Sequence, residues 1–325
     1  MNNNMVSWWP LCLSEQLTNK APLAITFSEN KMAAYRDASG QIRVVEDRCP
    51  HRRAPLSMGR ITDTGDIQCG YHGWTFNGES GDMSGFPNLD EGERLPRCKI
   101  KTYPAKESQG MVYVQLNPES DKQIIPVDDV AATSANVLHF SGQSFQALSH
   151  YESVAALLDQ PNYFLSIFAV EFVEKSLGDP RVEEGMLITE RVGRWNLCGE
   201  SRFFWGPLRH RADFPLRLTT KTAAETGETF AYLYSDTNQL LAKLHIALSP
   251  TVRGMTTLTW QAEVYPVNFA KLGLLMKLLA ALRFPLVRFF SKIDAKLLAA
   301  ELPAMGEHWR SLTESFLQAD AADTQ

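Results

Sequence analysis

The first third of the chain alternates apolar and polar side chains over short runs that end at turn-forming residues. The clearest run is AITFSENKMAAYRDASGQIRVVEDRC, residues 24–49, with turn residues at Glu29-Asn30 and Ser39-Gly40. A period of two over a few residues is typical of short antiparallel strands. The run MVYVQLNP, beginning at Met111, predicts the strand that closes this sheet. These patterns predict an all-β domain over residues 1–120.

Beyond a polar connection at residues 117–137, the strand-like runs become longer. They recur between residues 185 and 266 as GMLITERV, RFFWGP, LRLTTKT, ETFAYLYSD, LAKLHIALSP and RGMTTLTWQAEVYP. Residues 269–302 have the pattern of a long helical region bent at Pro285. A large antiparallel sheet backed by a long helix can enclose a ligand cavity. The chain is therefore predicted to be α+β, with a second domain over residues 121–325.

Composition excludes some functions. The 325 residues carry a formal net charge of -5, with no cluster of Lys and Arg interleaved with aromatics, so nucleic acid is not an expected partner. The N-terminal residues lack a basic segment followed by an apolar run, which predicts a cytoplasmic protein. The apolar runs within residues 269–302 are far shorter than the ~18–20 residues that a transmembrane helix requires, so no transmembrane segment is predicted.

Two short loops carry the strongest chemical signal. Cys49-Pro50-His51 is followed, after seventeen residues, by Cys69-Gly70-Tyr71-His72. Two thiolates on one iron and two imidazoles on the other are the ligands of a Rieske [2Fe–2S] centre. A structural zinc site with two Cys and two His is the alternative. Bulky neighbours such as Trp74 and Phe76 favour the iron–sulfur cluster, which must be shielded from water.

The residues around both loops extend this interpretation. CPHRRAPLSMG together with CGYHGWTFNGESGDMSGFP closely resembles the cluster domain of the Rieske non-heme iron oxygenases, and Trp8-Trp9-Pro10 resembles the opening of that family's oxygenase components. The resemblance implies a [2Fe–2S] cofactor bound by Cys49, His51, Cys69 and His72. It also implies that the second domain has the family's helix-grip arrangement, an antiparallel sheet that holds a long helix.

The same resemblance implies a mononuclear iron in the second domain, bound by two histidines and a carboxylate. With LLDQPNYFLSIF aligned on the family pattern, Asp159 takes the acidic bridging position, whereas Asn162 and Ile167 stand where the two histidines are expected. The late aspartate falls on Asp294. No histidine occurs between residues 151 and 209, so no shift of register restores the ligands. A mononuclear iron of the usual kind is therefore doubtful.

Other residues could in principle replace the lost ligands. His150 and Glu152 lie close to the vacant positions in sequence, and His245 lies in a strand-like run whose alternate positions could face a pocket. Each of these side chains could equally serve only local hydrogen bonding. Together with Asp294, they are the candidates for an unconventional iron site.

Three functions remain open. The first is a Rieske-oxygenase-like subunit that carries electrons through its cluster to the mononuclear iron of a partner oxygenase subunit. The second is an active monooxygenase that hydroxylates or demethylates a small organic substrate with unconventional iron ligands. The third is a cluster-bearing redox or ligand-binding protein.

All three functions need an external electron source, because the chain has no GxGxxG nucleotide fingerprint and no second cluster motif. The resemblance implies an NAD(P)H-dependent reductase with flavin and an iron–sulfur cluster. It also implies a trimeric assembly, either homomeric or heteromeric with a catalytic oxygenase subunit.

Overall fold

The computed structural model describes residues 8–87, 89, 94–116, 137–159, 170–183, 185–195, 216–223, 226–235 and 237–265. The chain divides into two compact units, residues 1–127 with 249–253 and residues 128–248 with 254–325. Within the described ranges, no helix is long and apolar enough to cross a membrane. The predicted helical region from residue 269 lies outside the described residues, as do Asn162, Ile167 and Asp294.

The first unit is built from short antiparallel strands and two single 3-10 turns, at Ser14–Gln16 and Leu56–Met58. The strands are β1 (Trp9–Leu13), β2 (Leu23–Phe27), β3 (Asn30–Arg36), β4 (Ile42–Glu46), β5 (Arg60–Ile61), β6 (Ile67–Gln68), β7 (Thr75–Phe76), β8 (Met83–Gly85), β9 (Thr102–Tyr103), β10 (Ala105–Ser108) and β11 (Met111–Val114). They form three sheets, with strand orders β1-β11-β10, β2-β3-β4-β9 and β5-β6-β7-β8. The strand from Met111 thus pairs with β1 and β10, not with the sheet of residues 23–46.

Strand β3 separates two hydrophobic cores. Met32 and Ala34 face a core that contains Trp9 and Val112, whereas Ala33 and Tyr35 face the core that contains Cys49 and Cys69. Successive side chains of a strand point to opposite faces, so both faces of this sheet are buried. The four-residue apolar run MAAY therefore interrupts the alternation that a sheet with one buried face would show.

The β2–β3 turn is centred on Ser28-Glu29, one residue before the predicted position. Both residues have positive φ, 45° and 66°, and Phe27 pairs with Asn30 across a two-residue loop. Positive φ at both positions is what a tight hairpin requires. The Asn30 side chain donates to the Ser28 carbonyl at 2.9 Å, so the asparagine stabilises the turn from the first residue of β3.

Asp37 organises the turn between β3 and β4. Its carboxylate accepts hydrogen bonds from the Ser39 backbone N–H at 2.9 Å, the Ser39 hydroxyl at 2.6 Å, the Gln41 N–H at 3.0 Å and Arg43 Nε at 2.8 Å. Partial burial by itself raises the pKa of Asp37, but the hydrogen bonds from Ser39, Arg43 and Gln41 outweigh it and lower this pKa below its usual value of 3.8. The ionised form of Asp37 therefore stabilises the folded state.

Asp37→Asn is expected to lower the free energy of unfolding by about 1–2 kcal/mol at pH 7. Because the folded-state pKa is lowered, this contribution is fully present above pH 3.8 and disappears as the pH falls through the folded pKa. Urea unfolding at pH 7 and near pH 3 measures the difference. Asp63→Asn, at an exposed turn, should change stability little at either pH. A loss that is the same at both pH values would contradict the assignment.

The second unit is dominated by one antiparallel sheet. Its elements are β12 (Leu138–Gln146), α1 (His150–Asp159), β13 (Val170–Ser176), β14 (Arg181–Glu183), β15 (Met186–Trp195), β16 (Leu216–Ala223), β17 (Thr229–Tyr234), β18 (Leu240–Pro250) and β19 (Thr256–Val264). The strand order is β12-β19-β18-β17-β16-β15-β13, with β14 paired to β15. The mostly β architecture with few helices agrees with the predicted fold over the described ranges.

Helix α1 begins at a capping box. The Ser149 hydroxyl accepts from the Glu152 backbone N–H at 3.3 Å, while the Glu152 carboxylate accepts from the Ser149 N–H at 2.8 Å. The helix packs on one face of the sheet, since Arg191 Nη2 of β15 donates to the Leu158 carbonyl at 2.7 Å. In the middle of α1, a Cβ on Gly227 would lie 2.2 Å from a methyl group of Val154. Only glycine at residue 227 allows this approach.

Candidate functional site

The two motif loops have the same backbone hydrogen bonds. The Cys49 N–H donates to the Ala54 carbonyl at 2.8 Å, and the Arg53 N–H donates to the Cys49 carbonyl at 2.8 Å. In the second loop, the Cys69 N–H donates to the Trp74 carbonyl at 2.8 Å, and the Gly73 N–H donates to the Cys69 carbonyl at 3.0 Å. Each cysteine is therefore held at the first position of an identical six-residue loop.

The fifth position of each loop has a left-handed backbone, with φ of 61° at Arg53 and 70° at Gly73. Glycine adopts this conformation without steric cost, whereas other residues are strained in it. At residue 73 a side chain would also collide with Pro87, since a Cβ would lie 2.6 Å from its Cγ. Arg53, by contrast, is exposed.

Arg53→Gly is expected to raise the free energy of unfolding by about 1 kcal/mol, because glycine removes the left-handed strain. Urea unfolding of the cluster-loaded protein checks the value. Arg52→Gly is the matched control, since Arg52 does not have a positive φ and the substitution should bring no gain. If Arg53→Gly were instead destabilising, the Arg53 side chain would stabilise the folded protein by more than its left-handed backbone costs.

Two glycines bring the loops together. A Cβ on Gly59 would lie 1.9 Å from the Gln68 carbonyl oxygen, and a Cβ on Gly70 would lie 2.8 Å from the Met58 carbonyl oxygen. Contacts this short with main-chain atoms cannot be relieved by turning a side chain. The segment after the first loop thus touches the second loop directly, backbone against backbone.

The two cysteines face each other in the second core, with Leu56, Ile67 and Phe76. Burial and the neighbouring Cys69 side chain raise the pKa of the Cys49 thiol to about 11, although the backbone N–H groups of His51 and Arg52 lower it. N–H groups directed at a sulfur stabilise a metal-bound thiolate. The loop therefore offers Cys49 the hydrogen bonds that such a thiolate needs.

The two histidines lie at the surface above the thiols. The ring centroids of His51 and His72 are 4.6 Å apart, and His51 stacks on Trp74 at 4.5 Å with an interplanar angle of 5°. Desolvation, His72 and Arg52 all lower the pKa of His51, which favours the neutral imidazole that a metal requires. The stacking on Trp74 fixes the orientation of the His51 ring.

These pairs fit the donor set of a two-iron cluster. Two neighbouring thiols are buried, and two neighbouring imidazoles are exposed, as a cluster with thiolates on one iron and imidazoles on the other requires. Among the described residues, no group of three or more His, Cys, Asp or Glu side chains converges in the way that a single metal ion would need. The arrangement favours the [2Fe–2S] cluster over a zinc ion with four ligands.

The Rieske [2Fe-2S] domain family matches residues 7–104, which contain both loops. The first unit carries a Rieske [2Fe–2S] domain. Its cofactor is the cluster that the motif spacing predicted.

Relatives of the Rieske domain are found in proteins of several kinds. Protein TIC 55, chloroplastic, of Arabidopsis thaliana is 40% identical over 114 residues, which are 35% of this chain and 21% of that protein. The 4beta-methylsterol monooxygenase of Methylococcus capsulatus is 37% identical over 108 residues, 33% of this chain and 29% of the enzyme. The chain therefore aligns with less than a third of the length of either relative.

The fold likeness extends further than the sequence likeness. Dicamba monooxygenase, in a structure with non-heme iron and dicamba, matches 98% of this chain and 98% of its own with a TM-score of 0.65 and 18% identity. At this identity the likeness shows the fold alone. The relatives and structural neighbours thus include Rieske non-heme iron oxygenases, as predicted from the motif residues.

The second unit holds no comparable set of metal donors among its described residues. His150 Nε2 donates to the Thr226 carbonyl at 2.9 Å, with the Leu248 carbonyl as a further acceptor, and burial lowers the pKa of His150. Glu152 is exposed and caps α1 through Ser149. Both side chains are engaged in holding α1 at its N-terminus.

His245 lies on the opposite side of the sheet from α1. Phe230 is its register partner and stacks on its ring at 4.5 Å, and Glu228 Oε1 lies 2.6 Å from Nε2. Leu244 and Ile246 lie on the same face of the sheet as Arg191. His245 lies between them along the strand, so its side chain points to the opposite face. His245 therefore cannot bind one ion together with His150 or any other residue of α1.

Sequence reasoning missed Arg191 and Glu228. In the run GMLITERV, Arg191 looks like one of the polar positions that a strand exposes to solvent. The structure buries it under α1 with 9% of its surface exposed. Glu228 is fully buried immediately before β17, where the turn sequence around Gly227 gives no sign of burial. Asp159 is the last residue of α1, next to Leu158.

Proposed function

We propose that this chain is the electron-carrying component of a Rieske-type oxygenase and serves the mononuclear iron of a partner subunit. In the proposal, Cys49 and Cys69 bind one iron of the cluster and His51 and His72 bind the other. When bound, the cluster supplies one-electron transfer. An NAD(P)H-dependent reductase with flavin and an iron–sulfur cluster is the proposed electron donor, and a trimer that includes a catalytic oxygenase subunit is the proposed assembly.

One contrast supports the proposal. Every feature of the cluster site is present, including matched loops, buried thiols and exposed imidazoles. In the second unit, His150 and Glu152 are engaged at the start of α1, and His245 lies across the sheet. A chain that can receive electrons, and whose described residues bring no set of iron ligands together, would be useful beside a complete iron site.

The exposed face of the Rieske domain supports a role in transfer to another protein. His72 is exposed, and its ring lies 4.0 Å from that of Tyr71, whose surface is 66% exposed. Met58 is 79% exposed on the neighbouring loop. Apolar side chains at a redox surface favour close contact with a partner, and close contact shortens the path for an electron.

Three further parts of the proposal rest on the family resemblance. The second domain is proposed to complete a helix-grip arrangement with the helical region from residue 269, and Asp159 and Asp294 are proposed to mark the bridging and vestigial iron positions. The cytoplasm is the proposed compartment. The domain boundary is proposed near residue 120.

Iron and acid-labile sulfide per chain, measured after anaerobic reconstitution, test the central claim. Two irons and two sulfides are expected, and a third iron would favour the active monooxygenase instead. Coexpression with an oxygenase-like chain tests the partner. The pair should copurify, and Cys69→Ala in this chain should abolish turnover by the partner. Turnover that does not depend on this chain would overturn the subunit role.

A further inference from the structure

The two ligand loops differ in charge. Residues 48–61, around the first loop, contain four arginines and no acidic residue, whereas residues 67–76, around the second loop, contain no Asp, Glu, Lys or Arg. The side chains of Arg48, Arg52, Arg53 and Arg60 are all exposed. The chain as a whole carries a net charge of -5, so the first loop is a local cationic surface on an acidic protein.

The arginines next to the first loop are not engaged with carboxylates of the chain. Among the ion pairs of the described residues, none includes Arg48, Arg52 or Arg53. Asp47, which precedes Arg48, accepts hydrogen bonds from the N–H and the hydroxyl of Ser57, both at 2.7 Å. These three guanidinium groups can therefore meet the carboxylates of another protein.

The second loop has an apolar surface instead. Tyr71 is 66% exposed, and its ring lies 4.0 Å from that of His72. Met58, which is 79% exposed, lies on the same side, since a Cβ on Gly70 would come within 2.8 Å of its carbonyl oxygen. An apolar surface suits lasting contact with a subunit, whereas a charged surface speeds the encounter with a protein that arrives and leaves.

We propose that Arg48, Arg52 and Arg53 form the docking surface for the electron donor, and that the donor meets them with an acidic surface. The iron–sulfur domain of the proposed reductase is the occupant. The electron enters at His51, the imidazole next to Arg52, while His72 and its apolar neighbours face the partner subunit. The donor is oxidised by one electron and this chain is reduced by one, with no covalent bond made or broken. The inference rests on the proposed function, because it names the surface that the donor uses.

The dependence on salt is the signature of such a surface. Exposed charges are screened beyond about 10 Å at 0.1 M ionic strength and beyond about 3 Å at 1 M. Exposed ion pairs each contribute little, so replacing two arginines should weaken donor binding by about fivefold at low salt. The same replacement should have almost no effect at about 1 M salt, where the attraction is already screened.

Calorimetric titration of the full, cluster-loaded chain tests the surface, with an acidic plant-type [2Fe–2S] ferredoxin as the probe. Both proteins are kept oxidised, so that binding is measured without electron transfer. At about 0.01 M salt, R52Q/R53Q should bind the ferredoxin about fivefold more weakly than the wild type. R52K/R53K keeps both charges and should bind like the wild type. K20Q/K106Q removes the same charge from exposed positions outside both loops and should also bind like the wild type.

The rate of reduction provides a second measurement. Reduced ferredoxin should reduce R52Q/R53Q more slowly than the wild type at low salt, and the two rates should converge as salt is added. An uncharged reductant, photoreduced deazariboflavin, should reduce both proteins equally fast. Slower reduction by deazariboflavin as well would show that the arginines change the cluster and not the encounter. Acid-labile sulfide per chain shows whether each variant has kept its cluster.

Several results would overturn the inference. They are absence of ferredoxin binding by the wild type at low salt, equal binding by the wild type and R52Q/R53Q, equal losses in R52Q/R53Q and K20Q/K106Q, and binding that strengthens with salt. A change in the oligomeric state of R52Q/R53Q without a change in ferredoxin binding would assign the surface to a second copy of this chain. The subunit role is tested separately by iron content and partner turnover, so the two can fail independently.

Discussion

Cys69→Ala is expected to abolish the [2Fe–2S] cluster, with loss of its visible absorption and its acid-labile sulfide. The thiol of Cys69 lies beside that of Cys49 in a core from which water is excluded, and no other described side chain is placed to replace it. Since loss of an outer hydrogen-bond partner already costs ~10–100-fold in metal affinity, loss of a thiolate ligand should cost at least ~100-fold.

Cys98→Ala provides the control for this experiment. Cys98 packs against the same core as Cys49 and Cys69, but it lies outside both loops and is only partly buried. Its replacement removes a sulfur of equal size from the same environment, so iron and sulfide should stay at wild-type levels. Loss of the cluster in both variants would indicate damage to the core and not loss of a ligand.

Gly59→Ala is expected to destabilise the first unit by about 3 kcal/mol or more and to reduce cluster content strongly. The new Cβ would lie 1.9 Å from the Gln68 carbonyl oxygen and 3.1 Å from the Gly70 nitrogen, both main-chain atoms flanking Cys69. Overpacking of a dense region costs about 1–3 kcal/mol even where side chains can adjust, and here the backbone itself must move. That movement displaces the second ligand loop.

Gly40→Ala separates this clash from the general cost of losing a glycine. Gly40 has a φ of 83°, and nothing lies within 4 Å of a Cβ there, so its replacement should cost only the left-handed strain of about 1 kcal/mol. Unfolding in urea and sulfide per chain measure both effects. Equal losses in the two variants, or an intact cluster in Gly59→Ala, would show that the backbone contact does not position Cys69.

The described parts of the two units differ in what they offer to a metal. The matched hydrogen bonds of the two loops hold the cluster ligands of the first unit in place. In the second unit, His150 is bound to backbone carbonyls and Arg191 is buried beneath α1, so both side chains hold the fold together.

The sequence by itself determined the cluster site, because each half of the site is local. A cysteine and a histidine two or three residues apart fall within one short loop, and the backbone hydrogen bonds of that loop close within six residues. The alternation of short strands is equally local and predicted most of the first unit. Strand β3 is buried on both faces, and there the alternation of apolar and polar residues did not predict burial. Burial of the second face depends on which other sheet packs against it.

Only the tertiary structure decided how the described side chains of the second unit are placed. His150 and His245 are both candidates in sequence, but strand register places His245 on the face opposite α1. Arg191 reads as an exposed residue until the helix covers it. Burial and facing in a large sheet arise from contacts between segments far apart in the chain, and alternation along one strand cannot show which face another element will cover.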